Sequence, residues 1–395
     1  MRSALIRTAP PALAGLLAAM AVEFADELVD GTKSAAMPLI RHDLGLSYVQ
    51  VGLLAAIPLL LGSLIEAPVG VLSGTGLRRR RFILAGGLVF VAAIAGMALA
   101  PAFLVLLAAM VVFFPASGTF VSLTQSALLD ADPDRRAQLM ARWTLAGSVG
   151  DVAGPLVVAA VLVAGASWRV AFGLVAAAGA ASWLAVAAAR PGAGTAEEAV
   201  DEDRWPGTRT AIRITWRAGA LRWLTLLEVS DLLLDVFSAF LALYLVGEAH
   251  ATPAVAALGV AVRLGAGLAG DALLIAVLER FDPLRVLRAS VLAAGLLFPS
   301  FLLVPGLGAK LGLLAALSIA TAPWYPVLKA ELFRSLPGRS GLAVSLGSVA
   351  GLAGGLGPLA VGLLAQHLGL TWAMVPLALV PPALLAAPTR RRPSG

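Results

Sequence analysis

The sequence predicts an all-α, polytopic membrane protein with twelve transmembrane helices in two pseudo-symmetric six-helix bundles. Three observations predict it. Of 395 residues, 59% are hydrophobic and 13% are charged, with mean hydropathy +0.91, whereas soluble domains are about one-quarter charged. The chain contains run after run of the ~20 apolar residues that suffice to span a bilayer. It also repeats itself. Glu23-x-x-Asp26-x-x-x-Asp30 returns as Glu228, Asp231 and Asp235, displaced by 205 positions, and the same offset relates Glu66 to Asp271 and Gly62 to Gly267.

The predicted spans are 12–39, 48–73, 82–100, 102–128, 139–164 and 169–189, then 221–246, 253–278, 287–306, 310–333, 341–366 and 370–388. The first opens like a signal peptide, but its acids and its continuation past Pro38 make it a span. The second carries Gly62 and Glu66 and ends in a basic loop, Arg78 to Arg81. The third, sixth, ninth and twelfth hold no ionisable residue inside their ends. The fourth is polar at Thr119, Ser122 and Gln125, and is followed by Pro133-x-Arg135. The fifth holds Asp151 and Gly154-Pro155, and the sixth opens on Trp168. In the second half the seventh span holds the repeated acids, and the eighth holds Arg263 and Asp271. The tenth has Trp324, Tyr325, Lys329 and Glu331, then Pro337-x-Arg339. The eleventh has Gly357-Pro358 and the twelfth opens on Trp372. The domains are therefore an N-terminal bundle, 1–190, a central loop, 191–220, and a C-terminal bundle, 221–395. The loop has an acidic run and then Arg209, Arg213 and Arg217; a solvated tether and a short helix on the membrane surface are the alternatives. Two like-oriented repeats related by an axis along the membrane normal form a known transporter architecture.

Charge placement sets orientation. Of the 29 Lys and Arg, 23 fall on the side that holds both termini. Arg41, Arg169 and Lys310 fall on the other side, and Lys33, Arg263 and Lys329 within spans. The positive-inside rule then puts both termini in the cytoplasm and the chain in the cell's inner, plasma membrane. That pattern, rather than nucleic-acid binding, explains the pI of about 10.4. The absence of cysteine excludes disulfides, thiolate metal sites and thiol redox chemistry. His42, His250 and His367 all fall in outer-face loops, so an intramembrane proton relay must use carboxylates.

The acids carry the functional reading. At 100° per residue, positions 23, 26, 27 and 30 share an arc of roughly 100°, with Lys33 at its edge. Glu228, Asp231 and Asp235 form the same stripe, with Leu232 in place of Glu27 and Ser238 in place of Lys33. Glu27 has no counterpart and is left out of the candidate set. A carboxylate facing lipid at the bilayer centre costs about 2.5–3.5 kcal/mol on the lenient scale. Eight would exceed the ~5–15 kcal/mol that holds a domain together. They must face protein, water or each other, which predicts an acidic, water-accessible interior between the halves. Crowding and burial favour the protonated carboxyl, as a proton-coupled carrier needs. Substrate and proton binding are assigned to Glu23, Asp26, Asp30, Lys33, Glu228, Asp231 and Asp235. Pairing of the acids with Lys33, Arg263 or Lys329 is the structural alternative. Gating or coupling is assigned to Glu66, Asp151, Arg263 and Asp271, and an Arg263–Asp271 salt bridge is expected two turns apart on one face.

Twelve spans, the six-plus-six repeat, the long central loop and the arginine-rich loops after spans two and eight together resemble the major facilitator superfamily. The resemblance covers essentially the whole chain. It implies that spans 1, 4, 7 and 10 line a cavity, so Gln125, Trp324, Tyr325 and Lys329 become candidate cavity contacts, with helix packing as the alternative. The family's loop motif Gly-x-x-x-Asp-Arg-x-Gly-Arg-Arg is matched by Gly70 and the basic run, but Gly74 stands where the aspartate belongs. The antiporter motif Gly-x-x-x-Gly-Pro is present as Gly150 to Pro155 and points to export. The opening segment and Leu46-Ser47-Tyr48 are most similar to drug exporters of the fosmidomycin-resistance type.

The expected function is proton-coupled antiport of a small cationic or amphipathic molecule by alternating access. It would be driven by the proton gradient, with no cofactor and no bound metal. The partners are the small-molecule substrate, protons and the lipid bilayer, and the chain is expected to be a monomer. Proton-coupled uptake, export of a metal cation and a non-transporting receptor or scaffold are the alternatives. Enzyme classes fit poorly. Gly31-Thr32-Lys33-Ser34 lacks the spacing of a phosphate loop. Gly150-Asp151 and Gly270-Asp271 both lack the Gly-x-Gly-Asp of an aspartyl membrane protease.

Overall fold

The computed structural model describes residues 11–73, 76–131, 136–189, 219–336, 350 and 354–386, apart from the side chains of 11–12, 63–73, 76–77 and 136–137. The expectations for the central loop, Gly74, both Pro-x-Arg loops and most of the first half of the eleventh span lie outside these residues. All regular structure among them is helical. We number the helices α1 (Pro11–Asp43), α2 (Tyr48–Ser73), α3 (Gly76–Leu99), α4 (Phe103–Ala131), α5 (Arg136–Val163) and α6 (Trp168–Ala188). The second half has α7 (Ala220–Gly247), α8 (Pro253–Leu278), α9 (Pro283–Leu303), α10 (Leu307–Ser335), α11 (Gly357–Leu368) and α12 (Leu370–Ala386). Eight helices among the described residues are long and apolar enough to cross a membrane, and two shorter apolar ones lie at Tyr48–Gly62 and Leu370–Ala386. α1 is 33 residues long; its acids, not its length, set it apart from the apolar spans.

The helices begin and end where local chemistry dictates. Ser47 starts α2 with a capping box: Gln50 N–H donates to Ser47 Oγ at 3.1 Å, and Ser47 N–H donates to Gln50 Oε1 at 2.9 Å. Thr252, 205 positions on, caps α8 by accepting from Val255 N–H at 3.4 Å. Asp282 accepts from Leu284 and Arg285 N–H at 3.1 and 3.2 Å and so caps α9. Spans α4 and α7 are each interrupted by a turn of π-helix, Gly118–Ser122 and Leu232–Val236. Such turns are frequent at functional sites and left no mark on the hydropathy pattern.

Contacts divide the chain into two compact units, Met1–Lys33 with Leu61–Glu198, and Ser34–Leu60 with Ala199–Gly395. In the first, α3 packs along α4 and α6 around Phe90, Phe113 and Phe120, whose ring centroids lie 5.2 and 5.5 Å from Phe90. α5 meets α1 through glycine. A Cβ on Gly150 would lie 2.3 Å from the Phe24 carbonyl oxygen, and one on Gly154 2.4 Å from Thr32 N. Small residues allow such backbone approach within a membrane. The second unit centres on Phe237, Phe298, Phe301 and Tyr244. The segment 34–60 joins it because Gly52 lies against the Pro358 carbonyl and Gly362 against that of Tyr48. In addition, Tyr48 N–H donates to Gln366 Oε1 at 3.1 Å.

One charge assigned to the outer side, at the start of the tenth span, is buried. Lys310 is 4% exposed. Its ammonium donates to Phe301 O at 2.6 Å, Leu302 O at 3.1 Å and Tyr244 Oη at 3.0 Å. It thereby satisfies carbonyls that the end of α9 leaves unpaired. Arg169 does the same at the end of α3, donating to Ala100 O at 2.8 Å with its guanidinium 4.3 Å from the Trp168 ring centroid.

Candidate functional site

The first acidic row lies on α1. Glu23, Asp26 and Glu27 are half-buried and Asp30 is exposed, in keeping with one stripe of a helix. Ser117, one residue before the π-turn of α4, donates its hydroxyl to Asp26 Oδ1 at 2.7 Å. Lys33 Nζ pairs with Asp30 Oδ1 at 2.5 Å, one turn away. Glu23 lies beside Trp143 of α5, and a Cβ on Gly147 would come within 2.8 Å of its Oε1. Glu27, omitted from the sequence-based set, sits among the most charge: Asp30, Asp26, Asp151 and Glu23 all act on it. Asp151 comes to this row because α5 is held against α1 by its glycines. The only sequence signal for Glu27 was its place in the arc, which the comparison with Leu232 outweighed.

The second row lies on α7. Glu228 and Asp231 are half-buried and Asp235 is exposed. Glu228 Oε2 is buried and has no hydrogen-bond partner among the described residues; a Cβ on Gly354 would lie 2.5 Å from it. Asp231 feels Asp235, Glu228 and, as its nearby cation, Lys329 of α10. Lys329 in turn contacts the Tyr325 hydroxyl. Within the π-turn, the Leu234 carbonyl accepts from both Ser238 and Arg263. Arg263 is thus directed to backbone, with its guanidinium 5.9 Å from the Phe237 ring centroid. Among the described residues no ion pair joins it to Asp271, contrary to the expected salt bridge. Asp271 is exposed on α8.

The other candidates divide. Tyr325 is 47% exposed, and Gln125 and Lys329 are half-buried. Trp324 is fully buried and donates its indole N–H to Ser290 Oγ at 3.1 Å, which makes it a packing residue of the second unit. Glu331 is buried and paired with Arg334. Glu66 lies on α2, but its side chain is outside those described. The basic run Arg78 to Arg81, expected in a loop, instead forms the first turns of α3, where Arg79 pairs with Asp130 at the end of α4 at 2.7 Å. Arg80 donates to the carbonyls of Ala187 and Ala189 at 2.8 and 3.0 Å. Among the described residues, no three His, Asp or Glu side chains converge to hold a metal ion.

An all-helical chain with eight apolar spans among the described residues, which carries rows of carboxylates on α1 and on the span α7, has the makings of a multi-pass membrane transporter. It belongs to the Major Facilitator Superfamily, whose description matches residues 18–321. It is therefore a transporter and not an enzyme. No curated protein matches it. Among solved structures, it is similar to a bacterial homologue of the human lysosomal transporter Spinster in an inward-facing, unoccupied conformation, with TM-score 0.78 and 16% identity over 95% of this chain and 96% of that one. It is also similar to the nucleoside transporter NupG (TM-score 0.73, 13% identity, 94% and 99% covered). A D-xylose-proton symporter gives TM-score 0.70 and 16% identity, with 95% of each chain covered. Likeness at this identity concerns the fold.

Proposed function

We propose that this chain is a proton-coupled antiporter that exports a small cationic or amphipathic molecule by alternating access of the repeats 1–190 and 221–395. It would work as a monomer in the plasma membrane with both termini cytoplasmic. The observation that carries the reading is the crowding of Glu23, Asp26, Asp30 and Asp151 around Glu27. Carboxylates gathered in so little space, with Lys33 as the cation on their own helix, exchange protons readily and attract positive charge. Glu27 therefore joins Glu23, Asp26, Asp30, Glu228, Asp231 and Asp235 as a proton or substrate group. Within the family, we group the chain with drug exporters of the fosmidomycin-resistance type, on the strength of its opening segment and Leu46-Ser47-Tyr48. Proton-coupled uptake is the second reading, favoured by the shared fold with a proton symporter. Proteoliposomes loaded with a pH-sensitive dye decide between them. Addition of a lipophilic cation such as ethidium to one side is expected to drive protons in the opposite direction. Protons moving with the cation would show symport.

A further inference from the structure

The second unit contains a cavity unrelated to either acidic row. α10 packs along both α8 and α9, which touch each other only slightly. The wedge left between α8 and α9 has a volume of about 510 Å³, within the ~300–1,000 Å³ of small-molecule sites. Its walls are apolar, with Leu273 and Val277 from α8, Ala293 from α9 and Ile319 from α10. The polar atom of Ser290 on its lining is engaged by Trp324. Leu273 and Phe281 are 56% and 62% exposed, so apolar surface continues from the cavity outward. At the end nearest the α8–α9 turn the lining changes character, to Arg285.

The surroundings of Arg285 favour an anion. Arg280, Arg285 and Arg288 are all exposed on this turn and the first turns of α9, against Glu279 and Asp282. The Asp282 carboxylate is committed to two backbone N–H groups of α9. An apolar slot with a cationic mouth at the membrane surface is complementary to a molecule that has a long apolar tail and an anionic head. Basic pockets between helices at that depth suit acidic lipid headgroups.

We propose that this wedge holds an acyl chain of an anionic phospholipid, with its phosphate at Arg285. Ala293 and Ala289 leave the room the chain occupies, and Arg285 selects the headgroup.

The test is native mass spectrometry of the purified full chain, delipidated in detergent and titrated with phosphatidylglycerol or phosphatidylcholine. The wild type is expected to retain one phosphatidylglycerol with about fivefold preference over phosphatidylcholine, the effect of one surface arginine. Arg285→Gln, on an exposed side chain, is expected to abolish the preference while leaving thermal unfolding unchanged. Ala293→Trp is expected to remove the bound lipid of either kind. If that variant does not fold, Ala289→Leu is expected to weaken binding of both. Equal retention of the two lipids by the wild type would overturn the proposal. So would a phosphatidylglycerol preference that survives both Arg285→Gln and the filled cavity.

Discussion

The two acidic rows descend from one repeated pattern but are held differently. On α1, Asp26 is bonded to Ser117 and Asp30 to Lys33, and α5 presses its glycine backbone against the helix. On α7 a π-turn interrupts the row, Ser238 replaces the lysine, and Arg263 is spent on the Leu234 carbonyl. The lysine near Asp231 comes from another helix, α10. The glycines that match at an offset of 203 differ as well. Gly154 meets backbone atoms, whereas among the described residues Gly357 meets the side chains of Val236 and Leu232 at 2.9 and 3.1 Å. The first row is thus held by direct backbone contact with α5, whereas the closest glycine approach described at the second row is to a carboxylate side chain, Gly354 to Glu228 Oε2. Equivalent sequence positions can be held by backbone in one half of a duplicated protein and by side chains in the other.

The largest stability effect should come from breaking this contrast at the glycines. Gly154→Ala forces a Cβ into the Thr32 amide and is expected to cost about 1–3 kcal/mol, seen as a lower Tm in detergent. Gly357→Ala should cost clearly less, because side chains can turn away. Equal losses would remove the contrast. Next comes the buried cation of the second half. Lys310→Met leaves the Phe301 and Leu302 carbonyls without their donor and is expected to cost about 1–3 kcal/mol, again read from Tm. Lys33→Ser makes the first row like the second. Its pair with Asp30 is partly solvated, so Tm should hardly move. Affinity for a monovalent cation should rise about fivefold, as expected for about 1 kcal/mol from one removed like charge; equilibrium binding measures it.

The smallest effect concerns the corner before α2 and the equivalent corner before α8. Gly45 has φ 62° and His250, 205 positions on, has φ 53°. Both are left-handed, which costs a residue with a Cβ roughly 1–2 kcal/mol. Gly45→Ala should therefore lower stability by about 1 kcal/mol, and His250→Gly should raise it by somewhat less. Opposite shifts in Tm would check that the two corners are the same structural element.

The sequence made much of this legible. Acids and lysine at one-turn spacing within apolar runs marked α1 and α7, because ionised groups in lipid are too costly to be incidental. The caps Ser47 and Thr252 stand at the same offset of 205, but only their hydrogen bonds identify them. Packing was less visible. Gly150 to Pro155 could be read as a motif, but its work of bringing Asp151 to Glu27 depends on two helices meeting. Lys310 looked like an outer-side charge at the start of a span because hydropathy counts residues and not the direction in which a long side chain reaches. Trp324 looked like a cavity contact because its span does, although its own face points inward. The two π-turns depend on one extra residue in a hydrogen-bond ladder, which no periodicity over so few positions reveals.

The most direct test of the central claim, that carboxylates on both α1 and α7 couple protons to transport, is cation flux into proteoliposomes under an imposed pH gradient. Wild type, Glu27→Gln and Asp231→Asn would be compared at matched Tm. Gradient-driven flux is expected to fall by about tenfold or more in each variant, a coupling loss of at least about 1.4 kcal/mol, while exchange without a gradient persists. Wild-type rates of gradient-driven flux in both variants would contradict it.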